Sequence, residues 1–175
     1  MNTNDENNNF ALSGNWKNTT FWYFYISTQL PENAIATTAT GLIIWENKLV
    51  LVEHKTRGWE IPGGHIEEGE SIHTALIREL KEEAGLVNTE TIEMFGYNKI
   101  VNPDAEKINK ATGKPYPKNA YNVHYIIETK LKPIGCQDGS CNSVGFFDIN
   151  SAEVQNSKVK DIIILGYNYY RTKKA

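Results

Sequence analysis

The chain has 175 residues, of which 40% are hydrophobic and 22% charged, and its formal net charge at pH 7 is −3. This composition is ordinary for a one-domain globular protein, and the length is sufficient to bury a substantial core. The slight negative charge gives no general attraction to nucleic acid or acidic membranes, so we expect no DNA or RNA duplex and no membrane among the partners. No apolar run approaches the ~20 residues of a membrane span, the N-terminus has no signal-peptide pattern, and two cysteines form no disulfide framework. We therefore expect a cytoplasmic protein.

Two segments precede the predicted main domain, which we place at residues 37–175. Residues 1–9 are rich in asparagine and nearly free of apolar side chains, so we expect them to be disordered. Residues 10–36 form an aromatic-rich N-terminal extension that includes Phe21-Trp22-Tyr23-Phe24-Tyr25. Its rings would suit a nucleotide pocket, because bases stack on them. We favour a strand or arm packed on the domain or on a second subunit, which would make a homodimer.

The main domain opens with two β-branched, apolar runs, Thr37 to Glu46 and Lys48 to Glu53. They flank Asn47-Lys48 and predict a β-hairpin. The segment from Arg57 to Gly64 then crosses to the most informative part of the chain.

A helix is predicted from Ser71 to Gly85, where apolar residues recur with the helical period. Ser71 is a candidate N-cap, and Gly85 lies where a left-handed C-cap ends a helix. Glu79, Glu82 and Glu83 stand at i, i+3 and i+4, so they share one face. Because like charges this close repel and the basic residues nearby are too few, a divalent cation would relieve the repulsion. The sequence therefore predicts a metal site on this helix.

The segment from Gly64 to Leu86 resembles the Nudix hydrolase signature at every fixed position. That signature reads Gly, five residues, Glu, seven residues, Arg-Glu, an aliphatic residue, one residue, Glu-Glu, one residue, Gly and an aliphatic residue. The preceding Trp59-Glu60-Ile61-Pro62-Gly63 is similar to the family's lead-in. The resemblance implies an α/β fold, the Nudix-type α/β/α sandwich around a mixed β-sheet, spanning Thr37 to Tyr170.

The resemblance also implies a reaction. It is that of a pyrophosphohydrolase that cleaves a diphosphate linkage in a nucleoside diphosphate joined to another group, with Mg²⁺ or Mn²⁺ as cofactor. One of the motif glutamates would double as the base that activates water. By match to the motif, the metal ligands would be the carbonyl of Gly63 and the carboxylates of Glu79, Glu82 and Glu83.

Other motif positions would build the frame around those ligands. Arg78 would orient a carboxylate through its two-pronged guanidinium, and Glu70 would tie the loop to the helix. Gly64 and Gly85 would be structural positions. A solvated acidic helix face without a ligand is the alternative, and the matching glycines and spacing argue against it.

Downstream, three strands and one helix are predicted. The runs from Thr91 to Val101, Tyr121 to Leu131 and Val144 to Ile149 favour strands, and Lys158 to Lys174 favours a helix. Strands, helix, strands and helix in this order fit the α/β/α sandwich.

The long polar segment from Asn102 to Ala120 is rich in lysine and proline. Loops of this length in compact domains are often lids or binding loops, but a solvated linker is the alternative. If it is a lid, its lysines would meet substrate phosphates. The candidate substrate-binding residues are Trp59, Lys110, Lys114, Tyr116 and Lys118.

One departure from the family pattern concerns an additional carboxylate. Many members carry a glutamate just before an aromatic pair, which here is Phe146-Phe147, but residues 139–143 contain none. Glu128 and Asp138 are the nearest candidates for an extra base or ligand, and the sequence does not choose between them. The neighbouring Cys136 to Cys141 segment favours a turn around Asp138-Gly139 over a zinc knuckle, because no second cysteine pair is near.

The motif does not identify the substrate. Nucleoside triphosphates, including oxidised forms, are favoured over ADP-ribose, dinucleoside polyphosphates and nucleotide sugars, because the domain is compact and has no obvious second domain. The alternatives are a catalytically silent Nudix module that senses a nucleotide, and an isoprenoid-diphosphate isomerase on the same fold. The first usually loses motif carboxylates, and the second needs a catalytic cysteine for which neither Cys136 nor Cys141 is clearly placed.

Overall fold

The computed structural model of the protein describes residues 10–16, 20–101, 108 and 113–175. The predicted disorder of residues 1–9 and most of the predicted 102–120 loop lie outside this range. The helices and strands in chain order are β1 (Leu12–Trp16), β2 (Thr20–Ile26), β3 (Ala36–Trp45), β4 (Lys48–His54), β5 (Gly58–Glu60), β6 (Gly63–His65), α1 (Ile72–Ala84), β7 (Thr91–Val101), β8 (Asn119–Thr129), β9 (Cys141–Phe147), α2 (Ala152–Gln155) and α3 (Lys160–Lys174).

The strands form one mixed sheet in the order β1-β2-β7-β8-β3-β4-β5. Strand β6 pairs with β3, and β9 pairs with β4. Strands β3 and β8 are parallel, whereas the remaining pairs are antiparallel. The predicted hairpin is confirmed as β3 and β4, with Ile43 opposite Val50.

Helices cover both faces of this sheet, which confirms the predicted α/β/α sandwich. On one face Leu76 and Leu80 of α1 pack with Ile43 and Val50 in one buried cluster. On the other face Ile163 of α3 belongs to a second cluster, built from the side chains Phe24, Leu42, Ile44, Leu49, Leu51, Ile61, Phe95, Ile126 and Val154. The sheet is therefore buried on both sides, and α1 is held against its centre.

Helix α1 begins and ends where its capping residues predict. The Ser71 Oγ accepts a hydrogen bond from the Thr74 N–H at 3.0 Å. Gly85 adopts φ 65° in the left-handed region, and its N–H donates to the Lys81 carbonyl at 3.0 Å. A side chain at Gly85 would be strained in this conformation, so glycine suits the C-cap.

The segment before β9 wraps the C-terminal end of α1. The Ile134 and Gly135 N–H groups donate to the Ala84 carbonyl at 3.1 and 3.3 Å, and the Gln137 N–H donates to the Glu82 carbonyl at 2.6 Å. These bonds satisfy carbonyls that a helix end leaves without partners. They also fix the following residue, Asp138, near the acidic face of the helix.

The aromatic N-terminal extension joins the same sheet as the rest of the chain. Strands β1 and β2 form a hairpin, and β2 pairs with β7 over Phe21–Ile26. This arrangement matches the favoured strand packed on the domain, while the expected homodimer stays a prediction. The short strands β5 and β6 and helix α2 were not predicted. Among the described residues, no helix is long and apolar enough to cross a membrane.

Candidate active site

Arg78 connects the loop before α1 to the glutamates on the helix. Its Nε and Nη2 donate to the two carboxylate oxygens of Glu70 at 2.9 and 3.0 Å, and Nη2 also donates to the His65 carbonyl at 2.9 Å. Its Nη1 donates to Glu79 Oε1 at 2.8 Å and to Glu82 Oε2 at 3.1 Å. The bidentate bond to Arg78 lowers the pKa of Glu70 to about 2. One guanidinium thus orders the loop and two of the three glutamates.

Glu83 is the most buried of these carboxylates, with 7% of its surface exposed. Its Oε2 accepts a hydrogen bond from the Gly63 N–H at 2.8 Å. Burial raises the pKa of Glu83 to about 7, and the nearby Glu79 and Asp138 charges act in the same direction. Burial likewise raises the pKa of Glu79. Both shifts show that negative charge here is only partly compensated by the protein.

Two glycines bring the backbone of β6 against this face. A Cβ on Gly63, which has φ 144°, would lie 2.3 Å from the Ala39 carbonyl oxygen. A Cβ on Gly64 would lie 2.4 Å from Glu79 Oε1. A side chain at Gly63 would push strand β3 away, and a side chain at Gly64 would push the Glu79 carboxylate away. Both positions therefore require glycine for this close approach.

The donor set fits a hard divalent cation in its chemistry. In the part of the chain that the structure describes, no three His, Cys, Asp or Glu side chains already form a ligand cluster. Arg78 instead holds Glu79 and Glu82, and Gly63 holds Glu83. Three neighbouring carboxylates, two with raised pKa values, nevertheless supply the oxygen ligands and the unbalanced negative charge that such a cation prefers.

The structure separates the two candidates for the additional carboxylate. Glu128 accepts a bond from Tyr170 Oη at 3.1 Å and forms an ion pair with Lys174 at 2.8 Å. Asp138 instead raises the pKa values of Glu79 and Glu83 through its charge. Asp138 therefore lies with the glutamate cluster, and Glu128 belongs to the contact between β8 and α3.

The predicted substrate-binding residues lie in several different places. Trp59 packs edge-to-face on Phe147, with ring centroids 4.7 Å apart, and is not part of the cavity lining described below. Tyr116 Oη lies 2.6 Å from His65 Nε2, beside the loop that Arg78 holds. Lys114 forms an exposed ion pair with Glu68 at 2.5 Å, Lys118 is exposed, and Lys110 lies outside the described residues.

A cavity of about 530 Å³ opens next to the glutamate cluster. Gly63, Gly64 and His65 are in its wall, so the cavity and the cluster share strand β6. Its remaining lining residues are Trp22, Thr38, Thr40, Arg57, Glu60, Ile61, Asn98, Asn122, His124, Lys158, Val159, Asp161 and Ile162. Most of these were not predicted as site residues. The available signal was weak: Asn122 and His124 are polar residues at alternate positions in the middle of strand β8.

Comparison with known proteins agrees with this geometry. Residues 36–163 match the family model of the NUDIX domain. The chain is 30% identical over 104 residues to the 8-oxo-dGTP diphosphatase of Buchnera aphidicola subsp. Schizaphis graminum, covering 53% of this chain and 77% of that protein. It is 38% identical over 56 residues to the ADP-ribose pyrophosphatase of Methanocaldococcus jannaschii, covering 30% of this chain and 33% of that protein. It is 41% identical over 75 residues to the RNA pyrophosphohydrolase of Nitratiruptor sp., covering 43% of this chain and 45% of that protein. The match thus spans less than half the length of the latter two relatives.

Solved structures share the fold. The Bacillus subtilis pyrophosphohydrolase BsRppH superimposes with a TM-score of 0.66 at 16% identity, covering 94% of this chain and 98% of that one. The NUDIX domain of Shewanella oneidensis NrtR, crystallised with ADP-ribose, gives a TM-score of 0.57 at 18% identity, covering 82% and 90%. Fold and site define an α/β sandwich with a helix-borne glutamate cluster beside a cavity. The chain belongs to the Nudix family.

Proposed function

We propose that this protein is a metal-dependent hydrolase that cleaves a diphosphate linkage in a nucleotide-type substrate. The observation that carries the proposal is the pair of half-buried Glu79 and buried Glu83, both with raised pKa values, next to Gly63 and Gly64 in the wall of the cavity. Family membership supports it, because the relatives described above are named as diphosphatases or pyrophosphohydrolases.

The cofactor in this proposal is Mg²⁺ or Mn²⁺, held by Glu79, Glu82, Glu83 and the Gly63 carbonyl. Oxygen ligands of this kind suit both ions. When bound, the cation would offset the charge that develops on phosphoryl oxygens and favour deprotonation of water.

The protein's own residues then order the reacting groups. Arg78 holds one carboxylate oxygen each of Glu79 and Glu82 through 2.8 and 3.1 Å bonds, so both side chains stay on the same face but would have to adjust to ligate a cation. Glu83 Oε2 is engaged by Gly63, which leaves Glu83 Oε1 to accept a proton from the attacking water. Asp138 is the alternative base in this proposal, because the backbone bonds that wrap the end of α1 hold it near the acidic face of the helix.

Among substrates, nucleoside triphosphates, including oxidised forms, remain the favoured class of this proposal. The relatives' names point to several substrates, an oxidised nucleotide, ADP-ribose and RNA, and so support only the shared diphosphate chemistry. A cytoplasmic location and a homodimer through residues 10–36 belong to the same proposal.

The test is a screen of nucleoside triphosphates, ADP-ribose, dinucleoside polyphosphates and nucleotide sugars with Mg²⁺, with the products identified. Glu82→Gln and Glu83→Gln are each expected to lower kcat by about 10²-fold with the fold intact, because a ligand or positioned base is lost. Glu90→Gln is the matched control, because Glu90 is exposed and pairs with Lys130 at 3.1 Å away from the cluster. Undiminished turnover in excess chelator would contradict the proposal, as would near wild-type kcat in both glutamate variants.

A further inference from the structure

The floor of the cavity is a chain of hydrogen-bonded neutral groups. His124 Nε2 lies 2.6 Å from Asn98 Oδ1, and His124 Nδ1 lies 2.7 Å from Thr40 Oγ1. The asparagine oxygen can only accept, so His124 donates from Nε2 and accepts the Thr40 hydroxyl proton at Nδ1. Complete burial lowers the pKa of His124 to about 3, which keeps the ring neutral. Both ring nitrogens of His124 are therefore already engaged, and the Thr40 hydroxyl proton is used as well.

Thr38, two residues before Thr40 on β3, differs from these residues because its hydroxyl has no hydrogen-bond partner in the described part of the chain. Among the described residues, its Oγ1 is the buried side-chain polar atom without a hydrogen-bond partner. Thr38 itself lines the cavity and is only partly buried. A rotation of about 120° around its Cα–Cβ bond moves the hydroxyl to the position that the methyl or the hydrogen held, and threonine populates more than one such rotamer. Since the hydroxyl has no partner where it lies, turning it toward a ligand breaks no bond.

The N-terminal hairpin supplies an apolar wall to the same cavity. Trp22 of β2 lines it, although Trp22 lies outside residues 36–163 that match the family model. Gly14 lies opposite Trp22 in the sheet, and a Cβ there would be 2.7 Å from Trp22 Cζ2. The glycine thus leaves room for the indole to lie over β1. Further apolar lining comes from Ile61, Val159 and Ile162.

We propose that this cavity binds the uncharged base of the nucleotide, with the ring against Trp22 and a polar group of the base edge bonded to the Thr38 hydroxyl. The lining also contains charged side chains, those of Arg57, Glu60, Lys158 and Asp161. Of these, Arg57 and Glu60 pair with each other at 2.6 Å. The apolar side chains of the lining and the neutral groups of β3, β7 and β8 suit a planar ring that has polar groups on its edge. The cavity also reaches Gly63 and Gly64, so a base held there directs its phosphates toward the glutamates. The direction of the phosphates rests on the proposed function, whereas the base site does not.

The test measures binding of adenosine, guanosine, cytidine and uridine, which carry no phosphate, to the full chain in excess chelator. Isothermal titration calorimetry would give the affinities of wild type and of Thr38→Val, Thr38→Ser and Trp22→Leu. Thr38→Val is expected to weaken the preferred nucleoside about tenfold, because a ligand hydrogen bond is lost. Thr38→Ser, which keeps the hydroxyl, should retain most of the affinity. Trp22→Leu should weaken all nucleosides, because the stacking surface is removed.

Thermal unfolding of the ligand-free protein separates recognition from a structural role. Thr38→Val removes an unpaired buried hydroxyl, so Tm should rise by about 2–4 °C while binding weakens. The matched controls are Thr91→Val, at an exposed position on β7, and Trp45→Leu, whose ring packs on Phe146 at 5.0 Å in the cluster around α1. Both controls should bind nucleosides like wild type.

Two results would overturn the base site: unchanged nucleoside affinity in Thr38→Val and Trp22→Leu, or no nucleoside binding to wild type at about 10 mM. These results differ from failure of the proposed function. If nucleosides bind as expected but no diphosphate is cleaved, the base site holds and the hydrolase proposal fails. If cleavage occurs but both variants bind nucleosides and show KM like wild type, only the base site fails.

Discussion

The buried neutral histidine makes a specific prediction about stability and pH. His124 is 6% exposed and packs beside the Phe24 and Phe95 rings, with ring centroids 5.4 and 6.1 Å away. Its two ring nitrogens bond to the neutral groups Thr40 and Asn98. Its pKa is about 3 in the folded protein and near 6.5 when the chain unfolds. Below pH 6.5 the unfolded chain therefore binds a proton that the folded protein does not. Stability is lost as pH falls from about 6.5 toward 3.

The magnitude follows from these two pKa values. At pH 8 the titration of His124 does not affect the free energy of unfolding, and at pH 5 it lowers that free energy by about 2 kcal/mol. For a chain of this length, such a change lowers Tm by about 4–8 °C. Glu70 does not interfere in this range, because its pKa is about 2 in the folded state and near 4.5 in the unfolded state. Its stabilising effect is lost only at lower pH.

A matched variant is necessary because the titration of Glu83 changes stability over the same pH range as that of His124, but in the opposite direction. Its pKa of about 7 in the folded state means that the folded protein holds an extra proton between pH 4.5 and 7, so this term lowers stability as pH rises. The two effects partly cancel in the wild-type profile. His124→Gln keeps an amide donor for Asn98 and an acceptor for Thr40 but does not titrate. Subtracting the two profiles removes Glu83 and isolates His124.

The assay is urea unfolding of metal-free wild type and His124→Gln at several pH values from 5 to 8. The stability of wild type relative to the variant should rise by about 2 kcal/mol from pH 5 to pH 8, with most of the change below pH 6.5. A flat difference would show that His124 titrates normally in the folded protein, and would refute the buried neutral ring. A difference that falls as pH rises would mean a charged histidine with an acidic partner.

Three further outcomes are expected. Leu80→Ala should destabilise the protein by about 2–5 kcal/mol in urea unfolding, because Leu80 is 1% exposed and its loss leaves a cavity between α1 and the sheet. Gly64→Ala should lower kcat by about 10²-fold with little change in Tm, because its Cβ would displace Glu79; unchanged kcat would show that the carboxylate position is not critical. Replacing Lys114 and Lys118 by serine should raise KM several-fold if their loop is a lid, whereas the linker interpretation predicts wild-type kinetics in the same steady-state assay.

Local signals in the sequence were sufficient to predict α1 and its acidic face. The Ser71 and Gly85 caps depend on nearest-neighbour chemistry, and the i, i+3, i+4 spacing fixes which glutamates lie together. The β3–β4 hairpin was predictable for the same reason, since β-branched runs flank a short turn. Structural features that depend on a few adjacent residues could therefore be predicted from the sequence.

The cavity required contacts between residues far apart in the chain. The aromatic run offered a pocket or a packed strand as alternatives, but the side-chain alternation of β2 allows both. Phe24 is fully buried and Trp22 lines the cavity on the same face, whereas Phe21 on the other face is 44% exposed. The positions of Asp138 and Glu128 likewise depended on packing, because the bonds that wrap the end of α1 hold Asp138 near its acidic face, whereas Glu128 pairs with Lys174 of α3.

Two costly features of this molecule lie beside strand β6. Glu83, which accepts a bond from the Gly63 N–H, is ionised at a cost in the ligand-free protein, and the hydroxyl of Thr38, which lies opposite His65 in the sheet, has no partner among the described residues. Something that binds the native state at either position would relieve the cost there, so such ligands should stabilise the fold. Gly63 connects them, because its N–H holds Glu83 while its backbone forms part of the cavity wall. A ligand that shifted β6 would therefore change the geometry that Glu83 offers to a cation, and by linkage the cation would then change nucleotide affinity by the same factor.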